Sequence, residues 1–173
     1  IGTCGQPDWQ NQTSPHGLGS YYFDGVNDCF RSANVVSSGD FNDILAEPDT
    51  TALWFKTNGA VTGEDYLVYW DGGGTCPTCD YYKIVLTNVG KVLFEYNNNL
   101  GSDITTCLST KEYDDNQWYH VTAIREGPTF PNDDDCELYI HAASNGTQTD
   151  GITQSYDYSG TVEVNAAGNW YVG

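Results

Sequence analysis

The sequence predicts an all-β fold, a sandwich or barrel of short strands, and three observations carry that prediction. Short segments rich in Tyr, Val, Ile, Phe and Trp recur along the chain, broken by Gly, Asn and Asp, the pattern of strands joined by turns. Aromatic residues make up 14% of the chain, with five Trp and thirteen Tyr, and flat rings pack well on pleated, half-buried surfaces. Six cysteines occur in 173 residues, a density that suits a disulfide-stabilised domain of an oxidising compartment.

Residues 1–20 are polar and aperiodic and read as an extended N-terminal arm, followed by one domain over residues 21–173. Strands are expected at Tyr21–Phe23, Cys29–Ala33, Thr51–Thr57, Asp65–Trp70, Tyr81–Thr87, Lys91–Tyr96, Ile104–Leu108, Trp118–Arg125, Cys136–Ala142, Thr161–Val164 and Asn169–Val172. The loop Asn88-Val89-Gly90 suits a hairpin. In Trp118–Arg125, Trp118, His120, Thr122 and Ile124 alternate with Tyr119, Val121, Ala123 and Arg125. Neither set is wholly polar, so this strand is expected to lie centrally, covered on both sides. The one helical turn expected is near Asp40–Leu45.

The formal charge is -18, from 24 acidic and 6 basic residues. Such a field repels nucleic-acid phosphates and anionic membrane surfaces. No apolar run in the sequence approaches the roughly 20 residues that span a bilayer. An Ile at position 1 and the absence of Met fit a processed, secreted chain. Of the acids, 17 are Asp, many beside Asn and Gly, where Asp favours turns and also supplies oxygens for calcium.

Six cysteines allow fifteen pairings, among which sequence does not choose; the set expected here is Cys4–Cys29, Cys76–Cys79 and Cys107–Cys136. Cys76-Pro77-Thr78-Cys79 has neither the following helix that a redox centre needs nor a second ligand pair for zinc. Two sequons, at Asn11 and Asn145, lie in polar, turn-like stretches where an N-linked glycan protrudes in a secreted eukaryotic protein.

Five stretches in order carry a family resemblance: Tyr22-Phe23-Asp24-Gly25-Val26-Asn27-Asp28, Ala52-Leu53-Trp54-Phe55-Lys56, Asn116-Gln117-Trp118-Tyr119-His120-Val121-Thr122, Glu137-Leu138-Tyr139-Ile140 and Asn169-Trp170-Tyr171-Val172-Gly173. Together they resemble laminin G-like and concanavalin A-like domains. The resemblance implies a jelly-roll sandwich of two antiparallel sheets packed face to face. It also implies a calcium ion at the sandwich rim, held in part by Asp24, Asn27 and Asp28, against the alternative of an Asx-turn that merely shapes the bend. In the family the final Gly-ending strand is followed by a further strand segment, resembling Phe-x-Gly-x-Ile-Asp-Glu, that this sequence does not reach. Three ways of covering the resulting edge are expected: a longer chain, the arm Ile1–Ser20, or a strand donated by a neighbour.

Chemistry of an enzyme is not evident. No strand carries the alternating acids of a glycosidase, for Glu95 and Glu163 each lack an acidic partner two residues away. The sequence has no Gly-x-Ser-x-Gly, and its three His are isolated. His120 reads as a core or sheet-face residue, and His16 and His141 as surface. The acidic run Asn132–Asp135 reads as a solvated loop. Trp70, Tyr81, Tyr156 and Tyr158 are candidates for stacking on sugar rings, weighed against ordinary core packing.

The reading is thus a non-catalytic, secreted or cell-surface module. Its first expected role is structural or adhesive, a filament subunit completed by strand or arm exchange. The alternative is a calcium-dependent, lectin-like module binding a glycan or protein. Expected partners are copies of itself or another extracellular protein or glycan, without nucleic acid or membrane insertion.

Overall fold

Side chains along the longer strands alternate between buried and partly exposed, so each strand commits one face to a shared interior. In the computed structural model, which describes residues 4–32, 49–59, 61–71, 81–97, 104–125, 136–154 and 169–173, twelve strands form. They are β1 (Asp8–Asn11), β2 (Gly19–Tyr22), β3 (Phe30–Arg31), β4 (Asp49–Lys56), β5 (Asp65–Asp71), β6 (Tyr81–Leu86), β7 (Lys91–Asn97), β8 (Ile104–Glu112), β9 (Trp118–Arg125), β10 (Cys136–Ala142), β11 (Gln148–Gln154) and β12 (Asn169–Val172). All pair antiparallel, as a four-stranded sheet β11-β10-β9-β4, a six-stranded sheet β3-β12-β5-β6-β7-β8 and a hairpin β1-β2. The all-β, two-sheet sandwich expected from the sequence is present, and β9 lies centrally as its alternation predicts. The expected strand Thr161–Val164, the helical turn near Asp40–Leu45 and the acidic run Asn132–Asp135 fall outside the described residues.

Phe55, Tyr119, Val121, Leu138 and Ile140 of the smaller sheet meet Trp70, Tyr82, Ile84, Phe94 and Tyr96 of the larger one in a single buried cluster. Each fully buried aliphatic or aromatic side chain contributes on the order of 1.5–3 kcal/mol. For Trp70, weighed between sugar stacking and core packing, the core alternative holds, at 3% exposure; its inward parity on β5 turns it toward Tyr82 and Trp170.

Three clasps brace the sandwich. The disulfide Cys107–Cys136 ties β8 to β10, as expected. At the start of β4, Asp49 pairs with Arg125 at 2.9 Å, and the guanidinium, almost fully buried, lies 5.5 Å from the Tyr96 ring. Burial pushes the Asp49 carboxyl above the ordinary carboxylate range, while Arg125 acts in the opposite direction. In the third clasp, Asp150 on β11 receives the Thr110 N–H at 2.7 Å, the Lys111 N–H at 3.1 Å and the Thr110 hydroxyl at 3.0 Å, all from β8.

The hairpin loop at Asn88–Gly90 forms as predicted. Gly90 takes φ 72°, a left-handed conformation that costs glycine little, and its N–H donates to Thr87 O at 2.8 Å.

The arm departs from the extended form expected. Its polar segments pair with each other as β1–β2, and the indole of Trp9 lies over Gly19 where any β-carbon would overlap the ring. The disulfide Cys4–Cys29, again as expected, fastens its base, beside the Gly5 N–H donating to Asn27 O at 2.7 Å. The last strand, β12, is flanked by β5 on one side and by β3 on the other. On the β3 side, Phe30 and Arg31 pair with Val172 and Tyr171.

Candidate functional site

The residues singled out for calcium sit on one exposed bend. Asp24 Oδ1 receives the N–H groups of Val26 and Asn27 at 2.8 and 3.2 Å, and the Asp24 N–H donates to Asp28 Oδ2 at 3.2 Å. The two backbone donors hold the Asp24 carboxyl below its ordinary range. This is the Asx-turn geometry weighed against the ion from the sequence. Among the described residues no group of three or more His, Cys, Asp or Glu is placed to hold a metal.

Asn11 and Asn145 are both exposed. Asn145 lies in the β10–β11 turn with its Oδ1 receiving the Thr147 N–H at 2.9 Å. Cys76, Cys79, Tyr156 and Tyr158 lie outside the described residues. Tyr81 is half-buried and donates to Glu95 Oε1 at 2.7 Å, beside the 3.1 Å pair of Lys83 with Glu95. Burial, reinforced by the neighbouring Glu95 carboxylate, holds the Tyr81 phenol protonated well above its ordinary range.

A different surface gathers the chemistry. The strand parity that sends Phe55, Tyr119, Val121 and Leu138 inward leaves Trp54, Lys56, Trp118, His120, Tyr139 and His141 on the outer face of the four-stranded sheet. Register sets Trp54 opposite His120, His120 opposite His141, and Lys56 opposite Trp118. The Trp54 and His120 rings are 4.9 Å apart and tilted by 60°. From the far side, His16 at the tip of the β1–β2 hairpin stands edge-on to Trp54 at 5.2 Å. Pro15 joins Gln117, Trp118, Ala142, Ala143 and Ser144 around an adjoining depression. The arm therefore folds back as one wall of an aromatic platform. Thr122 Oγ1 lies 3.4 Å from His120 Nδ1, so a side-chain hydroxyl neighbours that ring. Burial, reinforced by His141, holds the His120 imidazole below its usual range.

The sequence placed His120 on a sheet face and read His16 and His141 as surface residues. It did not show that His16 and His120 flank one tryptophan with His141 opposite His120. The signal was the same-face spacing of Trp118 and His120, but the register with β4 and β10 is a long-range fact.

A family profile described as the concanavalin A-like lectin/glucanases superfamily, of the laminin G type, matches residues 30–172. Among solved structures, the LG1-3 region of the laminin α2 chain superposes with a TM-score of 0.60 at 20% identity, over 87% of this chain and 25% of that one. The CBM40 module of the Ruminococcus gnavus IT-sialidase, bound to α2,3-sialyllactose, gives 0.55 at 15% identity over 83% of this chain and 79% of that one. Domains LG4-5 of the mouse laminin α1 chain give 0.53 at 14% identity over 100% of this chain and 38% of that one. This chain thus spans about a quarter of the first of these and under half of the third. No curated protein matches the sequence.

Proposed function

Because the chain belongs to the concanavalin A-like lectin/glucanases superfamily, we propose that it is a non-catalytic extracellular module that holds a glycan on the outer face of its four-stranded sheet. The observation that carries this reading is the row Trp54, His120 and His141 beside Trp118, half-exposed and walled by the arm. A sugar's C–H face stacks on an aromatic ring, and flanking ring nitrogens and hydroxyls fix its orientation. The CBM40 neighbour, which carries a bound sialyllactose, lends support by shape alone. Two disulfides suit an oxidising, extracellular setting.

Self-assembly by strand or arm exchange draws less support, since β12 is paired on both sides within its own chain and the hairpin's tip rests on Trp54. Retention of the full chain on a glycan array tests the reading. Binding to a defined set of glycans is expected; retention of none, together with concentration-dependent polymers in native mass measurement, would return the self-assembling role to first place.

A further inference from the structure

His16 and His120 flank Trp54 on the outer face, and His141 stands opposite His120 on the next strand, so all three histidines of the sequence lie on one face. In a chain with a formal charge of -18 and 6 Lys and Arg, this grouping of groups able to become cationic is an unusual use of a scarce resource. Lys56 stands two residues beyond Trp54 on the same face of β4, about 7 Å away at a strand's rise per residue. From β10 the other titratable groups facing outward are Glu137 and Tyr139, whose hydroxyl donates to Glu137 Oε2 at 3.0 Å. Glu137 lies four residues from His141, about 13 Å along the strand and beyond the roughly 8–10 Å over which exposed charges interact in physiological salt. At the turn before β9, the oxygens of Asp115 already receive the Tyr119 hydroxyl and the Gln117 N–H, at 2.9 and 3.2 Å. The His120–His141 pair therefore has no carboxylate of the described residues directly opposite it.

We infer that the ligand of this face is a carboxylated glycan whose acid group lies against His120 and His141 while its ring stacks on Trp54. This rests on the glycan-binding reading above and names its substrate class. A neutral imidazole pair gives a carboxylate little, whereas an imidazolium gives it a charge-assisted hydrogen bond. Binding then takes a proton from solvent onto the pair, and affinity rises as pH falls toward the histidine range. Because burial and His141 keep His120 neutral in the free protein near pH 7, the bound acid must draw that proton in, and the coupling works equally in both directions.

The test uses the full chain on an array of matched carboxylated and carboxyl-reduced oligosaccharides at pH 7.5 and 5.5, with melting curves at both values. Carboxylated members are expected to bind about tenfold more tightly at pH 5.5, their reduced partners equally at the two values. The double variant H120Q/H141Q is expected to lose the pH dependence of whatever retention of carboxylated members it keeps. NMR titration of the His120 ring protons adds a readout independent of affinity, with the midpoint moving upward when a retained carboxylated member is present. Equal retention of matched partners, a flat pH response, or a pH response that survives in H120Q/H141Q overturns the inference and leaves the platform standing. Retention of no glycan at all overturns the platform and the inference with it.

Discussion

Replacing Asp150 with Ala removes the carboxylate that fastens β11 of one sheet to β8 of the other. Asp150 is 7% exposed and receives the Thr110 and Lys111 N–H groups and the Thr110 hydroxyl at 2.7–3.1 Å, with the Tyr113 hydroxyl at 3.4 Å. Hydrogen bonds to a charged acceptor are worth about 1.5–3 kcal/mol each, and a buried donor left alone costs about 1–3 kcal/mol. Thr110 and Lys111 are exposed as residues, so water replaces part of the loss, and these terms do not add in full. The expected cost is about 3 kcal/mol, which lowers the melting temperature by about 6–12 °C in a domain of this size. Chemical denaturation at pH 7 reads it directly. The acid side gives an independent check, because the Thr110 and Lys111 donors outweigh burial and hold the Asp150 carboxyl below its ordinary range. A depressed folded-state value means stability present above the unfolded carboxylate pKa and lost as pH falls through the folded one. D150A should therefore be flatter than the parent in stability below about pH 4. A loss under about 1 kcal/mol, or an unchanged acid slope, refutes the clasp.

Serine at both Cys107 and Cys136, which are 29 residues apart, should cost about 3–4 kcal/mol on the loop-entropy account, read by denaturant titration; a cost below about 1 kcal/mol contradicts a cross-sheet role. R125M leaves Asp49 buried without its 2.9 Å partner and should cost about 3–5 kcal/mol, with R125M/D49N recovering part of it; a double variant no better than R125M refutes the pairing. Calcium proposed at Asp24, Asn27 and Asp28 should raise the melting temperature and be reversed by EDTA, since an ion bound by the native state stabilises it. Identical melting curves leave the Asx-turn as the bend's whole explanation.

The fold was legible wherever local pattern and burial agree. Trp118–Arg125 alternates because β9 is buried on one face and half-covered on the other, and Asn88–Gly90 announces its turn through the glycine that the left-handed position needs. What escaped were polar strands. Gln148–Gln154 reads as a loop, with Gly151 in its middle, yet forms β11 because β10 pairs along it and Asp150 anchors it across the sandwich. Asp8–Asn11 pairs with Gly19–Tyr22 through a flat Trp9 rather than through a hydrophobic pattern. The site was half-visible for a similar reason. Trp118 and His120 share a face by parity, but the positions of Trp54, His141 and His16 depend on register and on the arm's return, which no local spacing encodes.

The proposed binding surface is the outer face of the four-stranded sheet. It is tested most directly by glycan-array retention of W54A beside the parent and beside Y66A, which removes an aromatic ring, 39% exposed, from the other sheet. With melting temperatures matched, W54A should lose at least tenfold in retention of every glycan that the parent holds, and Y66A should lose none. Full retention by W54A, or an equal loss in Y66A, contradicts the account.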